Sequence, residues 1–417
     1  MRYIMFSIII ILGCVILEGL AKERLLTKPL RIPLKKKNYV KSSSEVFNLT
    51  FAQQVHRRTM RKYHVGNSAL TLMDEAGKHK PVRIGRKTLK TRQAERLTDQ
   101  GDQRKGLLQI GTHRQTFTVD FDTGSADFWV PSSDCTLQAC ASKNVYNASA
   151  SNTSSLKTGD FNLAYGDGSS TAGKPYSDSV SLAGITILNQ TFASATVLAD
   201  SLGKSPTDGI LGLAYPIISH LKAPSVMENA FSQGLIPSKT FSLDLSSDAG
   251  EFFLGGVDQS KFKGELEIHP VTRPAYWQLG GSAVHVNAQQ ISHANFQTIL
   301  DSGTSIIYGP AAVVDGIYAQ VNGSSRVRED EGFWKFPCLN PPLVSFSWGN
   351  GTRWEISPEK ISLGKIKENE TECIGAISSH TLHKKFDETW LLGDTFMMNV
   401  YSVFDPDANT IGFGELI

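Results

Sequence analysis

Two short segments of this 417-residue chain repeat one arrangement of an acidic residue, small hydroxyl residues and glycine. The first reads Phe121-Asp122-Thr123-Gly124-Ser125, and the second reads Leu300-Asp301-Ser302-Gly303-Thr304. Each aspartate follows an apolar run, and 179 positions separate the two, from 122 to 301. Paired carboxylates can supply both acid and base chemistry from one residue type. The repeat therefore predicts a two-lobed protein that brings the two carboxylates together.

A second pair of segments repeats at the same distance from each aspartate. Asp208-Gly209-Ile210-Leu211-Gly212-Leu213 follows the first aspartate by about 90 residues, and Trp390-Leu391-Leu392-Gly393-Asp394 follows the second by about 92. Both are apolar segments that end in glycine. Two motif pairs with matching spacing indicate duplication of one lobe rather than a solenoid of short repeats.

The chain from residue 106 onward has the texture of a mostly β protein. Short runs rich in Val, Ile, Phe and Thr alternate with clusters of Gly, Asn, Asp and Ser. Residues 116–121, 241–245 and 345–348 alternate with period two, which predicts strands. Prolines at or near the start of two other segments predict short helices over 224–233 and 310–320.

The N-terminal residues 1–21 predict a secretory signal peptide. Arg2 precedes a nearly apolar run over 6–17, and small residues follow at 19–21. The alternative is a retained signal anchor, but the run is shorter than the roughly 20 residues that a membrane span needs. We therefore expect an exported protein, secreted to the cell exterior or, alternatively, delivered to a lytic vacuole.

Residues 22–105 are strongly basic, with a net charge of +15, whereas residues 106–417 carry −13. Such a leader is either a nucleic-acid arm or an intramolecular cover. The predicted signal peptide argues against nucleic acid and favours a detachable prosegment over an acidic face. A third interpretation, a surface-binding protein that uses the leader, predicts that the leader stays attached in the secreted product.

The cysteines and the glycosylation sequons also fit an exported chain. Four cysteines remain after the signal peptide, an even number that predicts two disulfides. Three pairings are open, and we favour the local one, Cys135–Cys140 with Cys338–Cys373. A zinc site is the weaker alternative because no pair has CxxC spacing. Sequons predict surface glycans at Asn48, Asn147, Asn152, Asn189, Asn322, Asn350 and Asn369.

Over roughly residues 106–417 these motifs resemble the pepsin-like aspartic proteases, family A1, and its secreted fungal members in particular. The resemblance implies a bilobal, mostly β fold with two pseudo-symmetric lobes, 106–280 and 281–417, and an active-site cleft between them. Its markers are Ile110-Gly111-Thr112, the two aspartate motifs, Trp129-Val130-Pro131, Tyr165-Gly166-Asp167-Gly168-Ser169, Asp208 to Leu213, Tyr276-Trp277 and Leu392-Gly393-Asp394.

The resemblance implies that Asp122 and Asp301 form a catalytic dyad. Two carboxylates held close together cannot both ionise, so they share one proton. The ionised member takes a proton from a bound water, and the protonated member donates to the scissile carbonyl. Water is the nucleophile, and we expect neither a metal nor another cofactor. Because the pair titrates as a unit, neither aspartate is given a fixed role.

Other motif residues are implied to support the dyad. In the family, hydroxyls that match Thr123 and Ser302 hydrogen-bond across the lobes, and those that match Ser125 and Thr304 bond to the carboxylates. The two glycines let the backbone turn sharply at each aspartate. The residues implied to support the dyad are Thr123, Ser125 and Ser302. Gly124, Gly303 and Thr304 are implied to bind substrate together with the flap.

A glycine-rich hairpin resembles the family's substrate-covering flap. Tyr165 matches the flap tyrosine, Gly166 lies beside it, and Trp129 matches the tryptophan whose ring nitrogen bonds to that tyrosine. The alternative is that Trp129 and Tyr165 are ordinary core aromatics. In the fungal branch an acidic residue at the position of Asp167 accompanies acceptance of Lys just before the cut.

The leader resembles pepsin-type prosegments more weakly, through Leu30-Arg31-Ile32-Pro33-Leu34-Lys35-Lys36-Lys37. A prosegment lysine in the family pairs with the catalytic carboxylates until acid releases it. Lys62 is the candidate by local similarity, and a solvated charge is the alternative. The expected protein is thus a monomeric secreted zymogen that cleaves peptides and proteins in acid, prefers hydrophobic residues around the cut and binds pepstatin-type inhibitors.

Two other functions are alternatives to an active aspartic protease. A different hydrolase would carry a Gly-X-Ser-X-Gly or His-Glu-X-X-His motif, and the sequence has neither. A catalytically inactive binding protein with the same fold would typically lack an Asp or Gly of one motif. Both motifs are intact, which favours an active enzyme.

Overall fold

A computed structural model describes residues 30–35, 59, 63, 105–164, 170–246, 249–291, 296–327, 332–365, 371–380, 386 and 388–417. The predicted signal peptide, the flap residues Tyr165, Gly166 and Asp167, and the candidate Lys62 lie outside these described residues.

Strands dominate the described chain, which confirms the mostly β prediction. Five α-helices accompany them: α1 (Asp200–Gly203), α2 (Val226–Ser232), α3 (Ala311–Ala319), α4 (Pro358–Ile361) and α5 (Asp394–Met397). Single 3₁₀ turns span Gln138–Cys140, Ala148–Ala150 and Pro216–Ile218. Across the described ranges, no helix combines the length and apolar character needed to cross a membrane.

The strands in chain order are β1 (Leu30–Lys35), β2 (Lys105–Ile110), β3 (Gln115–Asp122), β4 (Phe128–Pro131), β5 (Ser155–Leu156), β6 (Phe161–Ala164), β7 (Ser170–Leu182), β8 (Ile185–Leu198), β9 (Gly209–Gly212), β10 (Phe241–Asp244), β11 (Ala249–Leu254), β12 (Phe262–Pro270), β13 (Gln278–Val286), β14 (Gln289–Gln290), β15 (Phe296–Leu300), β16 (Ile307–Pro310), β17 (Ser325–Arg326), β18 (Trp334–Pro337), β19 (Val344–Trp348), β20 (Trp354–Glu355), β21 (Ser362–Lys365), β22 (Glu372–Gly375), β23 (Ile377–His380), β24 (Thr389–Leu392), β25 (Tyr401–Asp405) and β26 (Thr410–Leu416).

The predicted elements form where their local sequence favours them. The alternating segments 116–121, 241–245 and 345–348 lie on β3, β10 and β19, as predicted. Helix α2 begins with a capping box in which Ser225 and Glu228 satisfy each other's backbone amides. Helix α3 begins directly after Pro310, which supplies a fixed φ at its entry. Both predicted helices are therefore confirmed within a few residues.

Three sheets carry these strands, with 14, eight and four members. The 14-stranded sheet includes β2 to β9 and also the last two strands, β25 and β26, which pair with β10 and β12. Its central aromatic core joins Phe241, Trp277 and Phe404, with Phe241 stacked on Phe404 at 4.9 Å between ring centroids. The C-terminal strands thus close the sheet that connects the two lobes.

The two halves share one pattern of strand pairing around their aspartate motifs. In the first, β3 runs parallel to β9, β9 pairs antiparallel with β4, and β4 runs parallel to β8. In the second, β15 runs parallel to β24, β24 pairs antiparallel with β16, and β16 runs parallel to β23. This correspondence is the internal repeat that the motif spacing predicted, and it defines the bilobal pepsin-like fold.

Part of the basic leader is a strand of the large sheet, a feature that sequence analysis did not predict. Strand β1 pairs antiparallel with β11 over all six of its residues, and Lys35 also pairs with Lys105 on β2. Ile32 and Leu34 are buried in the main core. Arg31 contacts two carboxylates of the chain that follows, those of Asp258 and Glu251.

Both disulfides of the favoured local pairing are present. Cys135 and Cys140 are five residues apart and close a small loop around a 3₁₀ turn. Cys338 and Cys373 join the segment after β18 to β22 in the four-stranded sheet. Each bridge therefore stabilises its own half of the molecule.

The buried His285 predicts that acid weakens the fold. Burial lowers the pKa of His285 below its usual value, and the charge of Arg353 lowers it further. The folded chain keeps this ring neutral to a lower pH than the unfolded chain does, whose ring binds a proton near pH 6.5. Stability from this group is therefore lost as pH falls from about 6.5 toward the lowered pKa. In His285→Gln the melting temperature should fall less between about pH 7 and pH 5 than in the parent.

The matched control is His113→Gln, at an exposed histidine, which should follow the parent curve. Thermal unfolding recorded in steps of pH tests both variants. If His285→Gln keeps the full pH dependence of the parent, this ring is not the source of the acid sensitivity.

Candidate active site

The first aspartate motif begins at the end of β3. Asp122 pairs with Gly212 in the parallel ladder with β9, and its carbonyl accepts the amide of Leu213 at 2.8 Å. The chain then turns, so that the amide of Gly124 donates to Asp122 Oδ1 at 2.9 Å and Ser125 Oγ donates to Oδ2 at 2.5 Å. The carboxylate is 3% exposed. Its orientation is therefore fixed by its own turn.

The second motif repeats this geometry after β15. The amide of Asp301 donates to the carbonyl of Leu392 on β24. The amide of Gly303 donates to Asp301 Oδ1 at 3.0 Å, and Thr304 Oγ1 donates to Oδ2 at 2.5 Å. Asp301 is fully buried. Each carboxylate thus accepts hydrogen bonds from the same two groups: the amide two residues later in the chain and the hydroxyl three residues later.

Reciprocal hydrogen bonds join the two motifs across the lobes. The amide of Thr123 donates to Ser302 Oγ at 3.0 Å, and the amide of Ser302 donates to Thr123 Oγ1 at 2.9 Å. Each hydroxyl also donates a hydrogen bond to the opposite motif. Thr123 Oγ1 donates to the carbonyl of Leu300, and Ser302 Oγ donates to the carbonyl of Phe121. Four buried bonds therefore set the relative position of the two aspartates.

Close packing at the motifs requires glycine. A Cβ on Gly303 would lie 2.3 Å from Asp122 Oδ1, so only a residue without a side chain lets the second motif approach the first carboxylate. Gly212 and Gly393 come from the apolar segments that repeat in both halves. A Cβ on Gly212 would lie 2.5 Å from the backbone of Ala126, just after the first motif, and a Cβ on Gly393 would lie 2.1 Å from the carbonyl oxygen of Thr304. This contact explains why both segments end their apolar run in glycine.

A leader residue, Tyr63, occupies the site. Its hydroxyl donates to Asp301 Oδ2 at 2.8 Å, and its side chain is fully buried. Burial raises the pKa of Tyr63 well above its usual value, and the neighbouring Asp301 charge raises it further, so the phenol stays protonated and remains a donor. The sequence predicted that Lys62 contacts the catalytic carboxylates and did not point to its neighbour Tyr63. The available signal was an aromatic residue within a basic leader.

Tyr63 rests on other aromatic rings beside the carboxylates. Its ring centroid lies 5.2 Å from that of Tyr276 and 5.9 Å from that of Phe386. Ile218 packs against the same cluster from the segment after β9. The leader therefore fills an apolar space next to Asp301 that has the character of a side-chain subsite.

Of the predicted flap constellation, the structure describes Trp129 and the strands on either side of the hairpin. Trp129 is 2% exposed and belongs to a buried cluster with Phe161 and Ile210. Strands β6 and β7 pair antiparallel up to Ala164 and Ser170, so the segment 165–169 connects the two strands of a hairpin. Contacts of Tyr165, Gly166 and Asp167 lie outside the described residues.

No group of three or more His, Cys, Asp or Glu side chains that would suit a metal ion occurs among the residues that the structure describes. Two carboxylates in equivalent turns, adjacent to an apolar space, can share a proton and polarise a water molecule. The arrangement suits hydrolysis through an activated water.

Comparison with known proteins places the chain in a family. Residues 105–416 match the family described as eukaryotic aspartyl protease. An aspartic protease of Phaffia rhodozyma is 33% identical over 345 residues, covering 82% of this chain and 83% of that protein. Pepsin A of Sus scrofa is 35% identical over 319 residues, covering 75% and 80%. Cathepsin E of Aquarana catesbeiana is 35% identical over 322 residues, covering 75% and 79%.

The fold, the paired aspartate turns and these similarities define an aspartic-type endopeptidase. The chain belongs to the eukaryotic aspartyl proteases, in the pepsin-like A1 family. The resemblance drawn from the sequence is thus confirmed at the level of family, fold and enzyme class.

The cross-lobe bonds predict energetic coupling between Thr123 and Ser302. Thr123→Val leaves the buried amide of Ser302 without its acceptor, which should cost about 1–3 kcal/mol of unfolding free energy. Ser302→Ala should cost a similar amount, and the double variant should cost less than their sum because the two changes remove one shared network. Denaturant unfolding of the four proteins measures this coupling.

Thr298→Val provides the control, because Thr298 is an equally buried threonine that bonds to Ser282 and Trp348 instead. Its effect should add to that of Ser302→Ala. Simple additivity for the Thr123 pair as well would contradict a shared cross-lobe network.

Proposed function

We propose that the protein is a secreted aspartic endopeptidase, made as a zymogen, in which Asp122 and Asp301 activate a water molecule at acidic pH. The observation that carries this proposal is the equivalent hydrogen bonding of the two carboxylates in turns joined by four cross-lobe bonds. The shared proton lets one carboxyl accept a proton from water while the other donates to the carbonyl of the peptide bond. The water oxygen bonds to the carbonyl carbon and gives a tetrahedral intermediate. Its C–N bond then breaks as the leaving amine takes a proton from the dyad, which releases two peptides without a covalent enzyme intermediate.

Amide substitution of either aspartate tests this chemistry. Asp122→Asn and Asp301→Asn should each lower kcat by about 10²- to 10⁴-fold or more, since each removes one partner of the acid–base pair. Cleavage of a fluorogenic peptide at acidic pH, with and without pepstatin, measures the loss. The control is Asp178→Asn, which alters another fully buried carboxylate whose partners are Tyr146, Ser151, Thr153 and Ser179. Full activity in either dyad variant would refute the proposal.

The leader supports the zymogen part of the proposal through two attachments. Strand β1 completes the large sheet with Arg31 in ion pairs, and Tyr63 fills the space beside Asp301. A substrate cannot occupy that space while Tyr63 is bound. Acid weakens both attachments, because a hydrogen bond or ion pair to a carboxylate loses strength when the carboxylate binds a proton.

Removing the Tyr63 hydroxyl should hasten activation. Tyr63→Phe keeps the ring packing but loses the bond to Asp301, so acid-triggered conversion to the mature mass should run about tenfold faster and begin at higher pH. Mass spectrometry over time after acidification follows the conversion. Tyr146→Phe, which loses a tyrosine–aspartate bond of equal length elsewhere, is the matched control and should convert at the parent rate. Equal rates for both variants would argue against Tyr63 as an inhibitory group.

For substrates we propose a preference for hydrophobic residues around the cut, which the apolar surroundings of Tyr63 support. Acceptance of Lys just before the cut would depend on a carboxylate at Asp167, on the flap outside the described residues. Asp167→Thr should then selectively slow cleavage after Lys, measured with peptides that differ only in Lys or Leu at that position. Equal loss on both peptides would count against this assignment.

Export, the monomeric state and glycosylation complete the proposal. The signal peptide over 1–21 directs the chain to secretion, with a vacuolar destination as the alternative. Asn147, Asn152, Asn189, Asn322 and Asn350 are exposed in the structure, which supports their modification. N-terminal sequencing and intact mass of secreted material test the cleavage sites and glycans together.

A further inference from the structure

Asp127, five residues after the first aspartate, is a buried carboxylate that the dyad does not use. It is 3% exposed and accepts four hydrogen bonds from one short segment. Ser219 Oγ donates to Oδ1 at 2.7 Å and the amide of Leu221 to Oδ1 at 3.0 Å. The amide of His220 donates to Oδ2 at 3.1 Å, and His220 Nδ1 lies 3.0 Å from the same oxygen.

The segment that binds Asp127 directly follows a residue that packs against the cluster around Tyr63. It follows β9 and is anchored at its start by two backbone bonds to the first aspartate motif, from Leu213 to Asp122 and from Ala214 to Ser125. Beyond these bonds comes the single 3₁₀ turn that contains Ile218, which packs against the cluster around Tyr63. Ile218 lies immediately before the three residues that Asp127 binds.

We propose that Asp127 is a positioning residue for substrate specificity: it fixes the turn at 219–221 so that Ile218 forms one wall of a subsite for a large apolar side chain. The inference rests on the proposed function, because it takes Tyr63 to occupy space that a substrate side chain enters after activation. Tyr63 itself indicates the class of side chain, since it buries a whole aromatic ring against Tyr276 and Phe386.

The charge on His220 makes this anchor strongest in acid. The hydrogen bond to Asp127 raises the pKa of His220, burial opposes the rise, the Asp127 charge adds to it and Lys222 reduces it. A raised pKa in the folded state gives stability that is complete below the unfolded value and is lost as pH rises through the folded one. Protonation of His220 therefore strengthens its bond to Asp127 below the raised pKa of the ring.

The test compares specificity fingerprints of acid-activated enzymes. A peptide set carries Tyr or Ala in turn at each position flanking the cut, and kcat and KM are measured separately. Ile218→Ala should lower the Tyr-over-Ala preference about tenfold at one position, as a missing apolar contact does in a subsite. Asp127→Asn should lower the preference at that same position by about threefold or more, chiefly through KM, because the wall is displaced while the dyad is intact.

Asp178→Asn is the control, since it weakens another four-donor buried carboxylate whose partners lie outside the 219–221 turn. It should leave every preference unchanged. If Asp127→Asn fails to accumulate, Ser219→Ala and His220→Gln each remove one donor at a more accessible place and should move the same preference in the same direction.

Three results would overturn the inference: an unchanged preference in the Asp127 and Ser219 variants, a change at a different position from that of Ile218→Ala, or an equal fall in kcat for all peptides. Absence of cleavage by the parent enzyme would instead refute the proposed function. The two failures are therefore distinguishable.

Discussion

The reciprocal hydrogen bonds between Thr123 and Ser302 are the constraint on which the rest of the structure depends. Each hydroxyl accepts a hydrogen bond from an amide of the opposite motif and donates one to a carbonyl of that motif. All of these groups are buried. Buried polar groups of this kind are costly unless every member is satisfied. The motifs therefore satisfy each other only when the two lobes meet in one relative position. The same position brings the Asp122 carboxylate against Gly303.

The requirements of the site explain features that are far from it in sequence. Both repeated apolar segments pair in parallel with the strand that leads into an aspartate, and their glycines leave room for the turn that follows. The turn after the first of these segments also donates hydrogen bonds to Asp127. The leader attaches at two separate places, the edge of β11 and the space beside Asp301. The proposed inhibition and the proposed specificity thus depend on the same apolar surface.

Sequence could predict what depends on local pattern. Asp122 and Asp301 stood in repeated motifs, the strands at 116–121 and 345–348 alternated with period two, and cysteine spacing favoured the pairing that formed. Contacts that join distant parts of the chain were not predictable in this way. Leu30–Lys35 alternates apolar residues with other types, but no local pattern identifies its partners β11 and β2, which lie far along the chain. Tyr63 and Asp127 gain their contacts only through folding. No pattern near either residue in the sequence indicates that Tyr63 contacts Asp301 or that Asp127 binds the 219–221 turn.

The most direct test of the central claim is to locate the hydrogens on the dyad. Neutron diffraction from crystals of the activated enzyme, grown at acidic pH and exchanged into D₂O, would show which oxygens of Asp122 and Asp301 carry a deuteron. The account predicts one deuteron for the pair, with the turn hydroxyls of Ser125 and Thr304 donating to the carboxylates. A deuteron on each carboxyl, or none on either, would contradict it.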